Sequence, residues 1–256
     1  PIKSCAPHSI ETLGARWPLT ERGLLYDREW MIVSARTGVA LTQKSNVRLC
    51  LVRPQLDVAA GRMRLHFGDD KAEEAGDAGV SVPIDDLDAV DSAALISSSL
   101  CQSKVCGDRV DGADCGDAVA AWLSDRLGET ADGVRLIRQR PDDQRRSKSK
   151  ADATIGDQRQ RISLANKAPF LLISTASIDW LCERVDAWYQ DLQVTALRRK
   201  LHRQTINRFR ANLVIEAADE ADDSLPALAE LEWRRLRSAN GSVRFGVQGP
   251  CTRCQM

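Results

Sequence analysis

Short apolar runs that alternate with polar residues dominate the first hundred positions of the chain. In residues 62–67, charged residues separate Met63 from Leu65, and residues 80–84 follow the same two-residue period. This period is typical of β-strands with one buried face, and it predicts that His66 lies on the exposed face of its strand. Further short apolar runs stand at residues 26–33, 39–43 and 48–52. Strands at such close and regular spacing predict a β-barrel or sandwich.

An amphipathic helix is predicted in residues 114–128. Its apolar residues recur at helical spacing, at Val119, Trp122, Leu123 and Leu127. Asp114 or Asp117 is the expected N-cap, because a carboxylate accepts hydrogen bonds from the amides of the first turn. Gly128 is the expected end of the helix, because glycine readily takes the left-handed conformation that follows many helices.

The second half of the chain mixes helix and strand patterns. Ser177 is the expected N-cap of a helix whose apolar stripe includes Cys182, which we therefore assign to the core. Buried strands are predicted at residues 134–137, 169–174 and 213–215. The polar residues 139–161 are predicted to form a long mobile loop. The chain as a whole is predicted to be mixed α+β and rich in strand.

Two cysteines stand near the end of the chain, at the tip of a predicted strand. Residues 243–248 alternate apolar and polar side chains, and Asn240-Gly241 before them is a preferred hairpin turn. This strand is predicted to place Cys251 and Cys254 at one end of a sheet. The Cys-x-x-Cys pair fits half of a zinc site, a redox pair, a thiolate ligand to a transition metal, or an inert pair. Spacing alone leaves these interpretations open, although no second pair at zinc-site spacing exists.

Composition narrows the classes of function. The 256 residues contain 36 Lys plus Arg and 36 Asp plus Glu, so the net charge gives no argument for a nucleic-acid partner. The eight cysteines are too irregularly spaced for a disulfide framework in a chain of this length. No apolar run could span a bilayer and no signal peptide is recognisable, which favours a cytoplasmic location and no membrane partner. Because the chain starts at Pro1 and not at Met, a preceding segment or domain is expected.

Three polar groups interrupt apolar surroundings. They are Lys3-Ser4-Cys5, Asp27-Arg28 and Arg210-Ala211-Asn212. Arginine holds planar anions through paired hydrogen bonds, so these groups fit an anion site. They fit equally a structural role, in which carboxylates such as Asp27 hold the arginines. The other basic residues, in residues 135–161 and 198–210, are expected mostly on solvated faces.

Motifs along the whole chain resemble one family. Residues 1–5 and residues 23–31 (Gly-Leu-Leu-Tyr-Asp-Arg-Glu-Trp-Met) resemble the N-terminal β-barrel module that precedes molybdenum cofactor sulfurase C-terminal (MOSC) domains. Residues 168–174, Phe209-Arg210-Ala211-Asn212 and the ending Gly-Pro-Cys-Thr-Arg-Cys-Gln-Met resemble the MOSC domain itself. Within this superfamily the chain is most similar to the C-terminal region of the molybdenum cofactor sulfurases.

The resemblance implies an architecture and a function. It implies an N-terminal β-barrel module at residues 1–137 and a MOSC-type β-barrel domain with a few helices at residues 138–256, shortened at its C-terminal end. It also implies that the chain binds the molybdopterin form of the molybdenum cofactor and presents it for sulfuration. In this family a cysteine desulfurase domain with pyridoxal phosphate, which lies outside these residues, supplies the sulfur. The implied recipients are xanthine dehydrogenase and aldehyde oxidase, so the chain is expected to be the cofactor-binding part of a sulfurtransferase.

The resemblance further implies the residues of the site. The expected cofactor contacts are Lys3, Ser4, Arg28, Arg210, Asn212, Thr252 and Arg253. Cys254 matches the cysteine that ligates molybdenum in amidoxime-reducing relatives, and it is the expected metal ligand and catalytic residue. A thiolate suits a soft metal, and cations suit a phosphate and a dithiolene of net negative charge. This interpretation requires that one cleft contains Lys3, Arg28, Arg210 and Cys254.

Two other functions stay open from the sequence. One is a standalone molybdenum oxidoreductase that reduces N-hydroxylated compounds, like the mitochondrial amidoxime-reducing component, with electron-donor partners and no desulfurase. The other is a non-catalytic module in which Cys251 and Cys254 hold structural zinc. A copurified pterin would separate the molybdenum functions from the zinc module. The coding sequence upstream of Pro1 would separate the sulfurase from the oxidoreductase.

Overall fold

The structure of the chain is a computed structural model. It describes residues 1–8, 10, 16–68, 79–84, 110–143, 145–147, 160–188, 194–217 and 225–251. The described strands are β1 (Leu19–Thr20), β2 (Gly23–Leu24), β3 (Trp30–Ser34), β4 (Val52–Asp57), β5 (Arg62–Phe67), β6 (Val80–Pro83), β7 (Gly112–Asp114), β8 (Val134–Gln139), β9 (Leu172–Ser174), β10 (Leu213–Ile215), β11 (Arg235–Arg237) and β12 (Arg244–Gly246). The described α-helices are α1 (Asp117–Leu127), α2 (Thr175–Cys182) and α3 (Thr195–Phe209). The chain is therefore mixed α+β and rich in strand, as the sequence predicts.

The chain divides into two compact units. Of the described residues, the first unit takes those within Pro1–Lys148 and Gln160–Pro169, and the second takes those within Phe170–Gln255. The division into domains at residues 1–137 and 138–256 stays a prediction.

The described elements of the first unit include two three-stranded antiparallel sheets, the β1–β2 pair and the helix α1. β8 is the central strand of one sheet, between β3 and β7, and β5 is the central strand of the other, between β4 and β6. Both sheets and α1 contribute side chains to one buried cluster, which includes Trp30, Leu65, Leu123 and Leu136. Removing this apolar surface from water is the main stabilising contribution to the unit. The strands predicted at residues 62–67, 80–84 and 134–137 are confirmed as β5, β6 and β8.

The predicted exposure of His66 is wrong. His66 in β5 is buried, with 8% of its surface exposed, because the alternation of buried and exposed residues breaks after Leu65. Gly79 lies against its ring, since a Cβ added at Gly79 would stand 3.3 Å from His66 Nδ1. The φ of Gly79 is +52°, a conformation that glycine adopts without strain. A neighbouring segment therefore covers the face that the sequence pattern assigns to solvent.

The start of α1 differs from its predicted capping. Its N-cap is Gly116, with a φ of +99° and no side-chain cap. Asp114 Oδ1 accepts a hydrogen bond from the Gly116 N–H at 2.8 Å, so this carboxylate acts just before the helix. Asp117 is the first residue of the helix, where a negative charge is favourable near the positive end of the helix dipole. The predicted end is confirmed, because Gly128 follows the helix with a left-handed φ of +73°.

Among its described elements, the second unit pairs a short parallel sheet with the helices α2 and α3. β9 and β10 are parallel, and α2 and α3 pack through a buried cluster that contains Ile173, Ile178, Cys182 and Leu201. The assignment of Cys182 to the core is confirmed. The N-cap of α2 is Ser174 and not Ser177: the Ser174 hydroxyl accepts a hydrogen bond from the Ser177 N–H at 3.1 Å. Ser177 therefore stands inside the helix that it is predicted to start.

The hairpin of β11 and β12 agrees with the sequence pattern. Burial alternates along residues 243–248, with Phe245 half-buried between exposed neighbours. Gly241 has a φ of +72°, and Asn240 Oδ1 accepts a hydrogen bond from the Ser242 N–H at 3.1 Å. The Asn240-Gly241 dipeptide thus lies in the turn where it is predicted.

Buried polar contacts hold the described part of residues 139–161, and residues 144 and 148–159 of the predicted mobile loop lie outside the described residues. Arg145 is only 8% exposed, and its Nη1 donates hydrogen bonds to the carbonyls of Ser163 at 2.5 Å and Ala165 at 2.6 Å. Arg146 and Arg161 form an isolated antiparallel bridge. Some of the basic residues expected on solvated faces are therefore structural.

Candidate functional site

Lys3 lies beside the first residue of β3. Its backbone N–H donates to the Trp30 carbonyl at 2.8 Å. Its side-chain Nζ donates to the Leu164 carbonyl at 2.8 Å and to Asn166 Oδ1 at 2.6 Å. Both acceptors are uncharged, so these two contacts orient the ammonium group without neutralising it.

Arg28 lies in a tight turn between β2 and β3. Its φ is +52° and that of Tyr26 is +62°, in the left-handed region that favours glycine. The left-handed conformation costs a non-glycine residue roughly 1–2 kcal/mol. The Arg28 guanidinium is 2.5 Å from the Asp27 carboxylate, and both side chains are half-buried. Backbone strain of this kind is concentrated at binding and catalytic sites.

Leu164 brings Lys3 and Arg28 together. Its carbonyl accepts the Lys3 ammonium, and its N–H donates to the Arg28 carbonyl at 2.9 Å. Ser4 follows Lys3 with a φ of +70°, and its carbonyl accepts a hydrogen bond from Gln43 Nε2 at 2.8 Å. The Ser4 hydroxyl has no hydrogen-bond partner within the described part of the chain. The Lys3 ammonium and the Arg28 backbone therefore meet at Leu164. Ammonium, guanidinium and hydroxyl groups are the donors that suit an oxyanion.

Arg210 and Asn212 lie together in the second unit, between α3 and β10. Arg210 follows α3 with a φ of +56°, and its N–H donates to the Asn207 carbonyl at 3.1 Å. Asn212 Oδ1 accepts a hydrogen bond from the Leu171 N–H at 2.8 Å, and the Asn212 N–H donates to the Leu171 carbonyl at 3.1 Å. These two hydrogen bonds attach the segment between α3 and β10, which contains Arg210, to Leu171, the residue before β9.

The end of the chain contains the remaining predicted contacts. Cys251 is exposed. Thr252, Arg253 and Cys254 lie outside the described residues. The structure thus brings together Lys3, Ser4 and Arg28 in the first unit and Arg210 and Asn212 in the second. A common cleft for all the predicted contacts stays a prediction.

Cys115, in the first unit, is unsuited to nucleophilic chemistry at neutral pH. Burial raises the pKa of the Cys115 thiol to about 12, and the adjacent Asp114 carboxylate acts in the same direction. Arg138, the Trp30 indole and Arg135 lower the pKa by less. Because the thiolate is the reactive form of cysteine, Cys115 stays protonated and inert at neutral pH.

Sequence reasoning misses the residues that hold the Lys3 and Arg28 neighbourhood. Leu164 acts only through its backbone, so its side-chain type gives no signal. Asn166 stands in a polar stretch with no periodic pattern. Glu29 and Arg138 form an ion pair close to these residues. In the sequence, both are charged residues next to apolar ones, and this pattern could have indicated that they pair.

The described residues contain no group of three or more His, Cys, Asp or Glu side chains that could hold a metal ion. None of the described helices is both long enough and apolar enough to cross a bilayer.

Two family models match the chain. The MOSC N-terminal beta barrel domain matches residues 1–130, and the MOSC domain matches residues 159–256. The chain belongs to the MOSC family. In this MOSC chain, Lys3, Ser4 and Arg28 fall in the first match, and Arg210 and Asn212 fall in the second.

Curated relatives of this MOSC chain are named molybdenum cofactor sulfurases. The chain is 43% identical to the protein of Drosophila ananassae, 39% to that of Bombyx mori and 38% to molybdenum cofactor sulfurase 1 of Aedes aegypti. All of the chain is covered in each comparison, but only 26–28% of each relative, in its C-terminal part. The chain thus spans little more than a quarter of the length of these relatives. A solution structure of a Bordetella bronchiseptica protein covers 51% of the chain at 24% identity with a TM-score of 0.32, which is too low to support an argument.

Proposed function

We propose that the chain binds the molybdenum cofactor and presents it for sulfuration, as the C-terminal part of a molybdenum cofactor sulfurase. The observation that supports this function is that the Lys3 ammonium and the Arg28 backbone both contact Leu164, with Ser4 next to Lys3 in the chain. The molybdopterin form of the cofactor contains a phosphate and a dithiolene, so it is anionic and needs such donors. The identity to sulfurases over the whole chain supports the same function.

The residues that would hold the cofactor follow from the two neighbourhoods. Lys3, Ser4 and Arg28 would bind its anionic groups from the first unit. Arg210 would bind these groups from the second unit. Asn212 would hold in place the segment between α3 and β10 that contains Arg210. Thr252 and Arg253 would add contacts, and Cys254 would ligate molybdenum and act as the catalytic cysteine.

The side chains of this module would bind and orient the cofactor. Asp27 holds the Arg28 guanidinium at 2.5 Å, so the guanidinium would meet its ligand with little loss of rotamer entropy. Asn166 and the Leu164 carbonyl hold the Lys3 ammonium in the same way. When bound, the cofactor supplies the molybdenum on which a sulfur replaces an oxygen ligand. The thiolate of Cys254 is a soft ligand that suits this metal.

The partners of the proposed function lie outside this chain. A cysteine desulfurase domain with pyridoxal phosphate, in the same polypeptide, would supply the sulfur. Xanthine dehydrogenase and aldehyde oxidase would be the recipients, in the cytoplasm. The share of the relatives that the chain covers leaves room for such a domain in them.

Cofactor loading tests the proposal directly. The full chain would be incubated with molybdenum cofactor released from a molybdoenzyme and then separated from the unbound cofactor. The bound pterin would be oxidised to a fluorescent derivative, and its amount would be compared with the amount of bound molybdenum. We expect both in equal amounts in the wild type. Arg28→Gly and Arg210→Gly should lower the bound pterin by roughly tenfold or more, because each removes charged hydrogen bonds while fitting the left-handed backbone.

Matched controls and alternative outcomes make this test decisive. Arg36→Ala removes an arginine of the first unit that pairs with Asp132 on the surface, and Arg234→Ala removes an exposed arginine of the second unit. Both variants should load like the wild type. A folded wild type that takes up neither pterin nor molybdenum would refute the proposal. Stoichiometric zinc without molybdenum would favour the structural module, and reduction of N-hydroxylated compounds by the chain would favour the oxidoreductase.

A further inference from the structure

The turn that presents Arg28 is unusual in its backbone. Tyr26 and Arg28 are both left-handed, with φ of +62° and +52°, and only Asp27 stands between them. The Asp27 N–H donates to the Leu24 carbonyl at 2.9 Å, which closes the turn. Non-glycine residues avoid this region, so two of them in one turn need contacts that hold them there.

Glu29 supplies the contact that holds Tyr26. Glu29 Oε1 accepts a hydrogen bond from the Tyr26 N–H at 3.1 Å. The other carboxylate oxygen, Oε2, is 3.3 Å from Arg138 Nη2. The Glu29 carbonyl accepts a hydrogen bond from the Gln139 N–H at 2.8 Å. Side chain and backbone of Glu29 are thus both attached to β8, on which Arg138 and Gln139 lie.

Arg138 is itself held in place. It is 9% exposed, and its Nη1 donates to the Ile84 carbonyl at 2.5 Å. Its guanidinium lies 4.8 Å from the ring centre of Trp30 and 5.8 Å from that of Tyr26. These contacts use the charge and the flat face of the guanidinium inside the protein. Arg138 is therefore a fixed cation that orients Glu29.

We propose that Glu29 and Arg138 are positioning residues for Arg28. The ion pair between the buried Arg138 and the half-buried Glu29 keeps the Tyr26 N–H bonded. This bond keeps the turn left-handed and sets the direction of the Arg28 side chain. Without Glu29, the Tyr26 N–H loses this acceptor and the turn relaxes toward ordinary negative φ. That change rotates the Cα–Cβ bond of Arg28 and moves its guanidinium. The inference rests on the proposed function in taking Arg28 as an anion contact.

Hydrogen exchange of the Tyr26 amide, measured on the full chain without any cofactor, tests the first half of this inference. Glu29→Ala should speed exchange about tenfold, the loss expected for one hydrogen bond. Arg138→Met should do the same, because it leaves Glu29 without its cation. Glu29→Gln should have a smaller effect, since its carbonyl oxygen can still accept the Tyr26 N–H.

Glu129→Ala is the matched control. Glu129 is another half-buried glutamate of the first unit, and its Oε1 accepts a hydrogen bond from Asn46 Nδ2 at 2.8 Å. Its removal should leave the exchange of Tyr26 unchanged. Equal exchange in Glu29→Ala and the wild type, or an equal rise in Glu129→Ala, would overturn the inference.

Cofactor loading tests the second half through additivity. If Glu29 acts through Arg28, then Glu29→Ala should weaken loading of the wild type but should not weaken loading of Arg28→Gly any further. Independent, multiplying losses would mean that Glu29 does not position Arg28. If the wild type binds no cofactor, the proposed function is refuted but the role of the ion pair is not. The hydrogen exchange of the Tyr26 amide still decides whether the ion pair holds the turn.

Discussion

Arg135 Nε lies 2.6 Å from the carboxylate of Asp114, whose side chain is completely buried. The same guanidinium contacts Asp117 at 2.6 Å, and the hydrogen bond that Arg135 donates to Asp114 is the main reason that the pKa of Arg135 is raised. Asp114 also accepts the Gly116 N–H. This pair therefore joins β8 to the end of β7 and the start of α1, around which the core of the first unit is built.

Replacing Asp114 should destabilise the first unit strongly. Asp114→Ala leaves the Arg135 guanidinium and the Gly116 N–H without their buried acceptor, although Arg135 keeps Asp117. We expect a loss of about 2–4 kcal/mol in the free energy of unfolding, somewhat below the cost of breaking a fully buried pair. Urea denaturation followed by tryptophan fluorescence measures it.

Asp117→Ala is the control for this pair. Asp117 makes its contact to Arg135 with 95% of its side chain exposed, and such ion pairs contribute less than about 1 kcal/mol. Equal losses in the two variants would mean that burial does not decide the strength of the contact.

The Cys115 thiol should react slowly with alkylating reagents. Its pKa of about 12 leaves almost no thiolate at pH 8, whereas Cys50 is exposed. Mass spectrometry of the protein treated with iodoacetamide at pH 8 should show Cys50 modified well before Cys115. In urea both should react at similar rates. Comparable rates in the folded protein would contradict the pKa that burial implies.

The same thiol should make the protein less stable in alkali. In the unfolded chain Cys115 ionises near its ordinary pKa of about 8.5, and in the folded chain near 12, so above pH 9 only the unfolded state loses this proton. The contribution to stability is therefore complete below pH 8 and falls by about 1.4 kcal/mol per pH unit above 9. Cys115→Ala should remove this part of the pH dependence, which denaturation at several pH values between 8 and 11 would detect.

Arg145 should hold residues 160–167 against the first unit. Its guanidinium donates to the carbonyls of Ser163 and Ala165, and Arg145→Met leaves these oxygens without that donor. Trypsin should then cut after Arg161 or Lys167 about tenfold faster, the change expected when opening becomes easier by one charged hydrogen bond. Arg146→Met, at an exposed neighbouring position, should leave the cleavage rate unchanged. If both variants are cut equally fast, Arg145 does not hold residues 160–167 in place.

Local patterns in the sequence predicted the parts of the fold that local chemistry determines. The alternation at residues 62–67, the end of α1 at Gly128 and the burial of Cys182 all depend on neighbours within one strand or helix turn. The start of α1 was not predictable, because Asp114 is used by Arg135, which is distant in the sequence. His66 was mispredicted for the same reason, since Gly79 from another segment covers it.

The candidate site was predictable only through its motifs. Lys3, Ser4 and Arg28 were expected as contacts, and the structure brings them together through Leu164. The sequence gives no sign of this meeting point, because Leu164 contributes backbone atoms and lies far along the chain. The role of Glu29 was hidden as well, since its partner Arg138 comes from a strand that pairs with β3 only in the folded chain.

Arg210 offers a prediction that separates its backbone from its side chain. Its φ of +56° favours glycine, so Arg210→Gly should be more stable than Arg210→Ala by about 1 kcal/mol, as measured by thermal or urea denaturation. Both variants lack the guanidinium and should load equally little molybdenum cofactor.

An arginine in a conformation that glycine fills more favourably supports the hypothesis that its side chain has a binding role. If Arg210→Gly were the less stable variant, the helix end would not be strained as its φ implies. If Arg210→Gly instead loaded cofactor like the wild type, the arginine would be a structural cap and the second unit would need another cation for the anionic cofactor. Stability and loading measured on the same two variants therefore decide whether Arg210 is there for the helix or for the ligand.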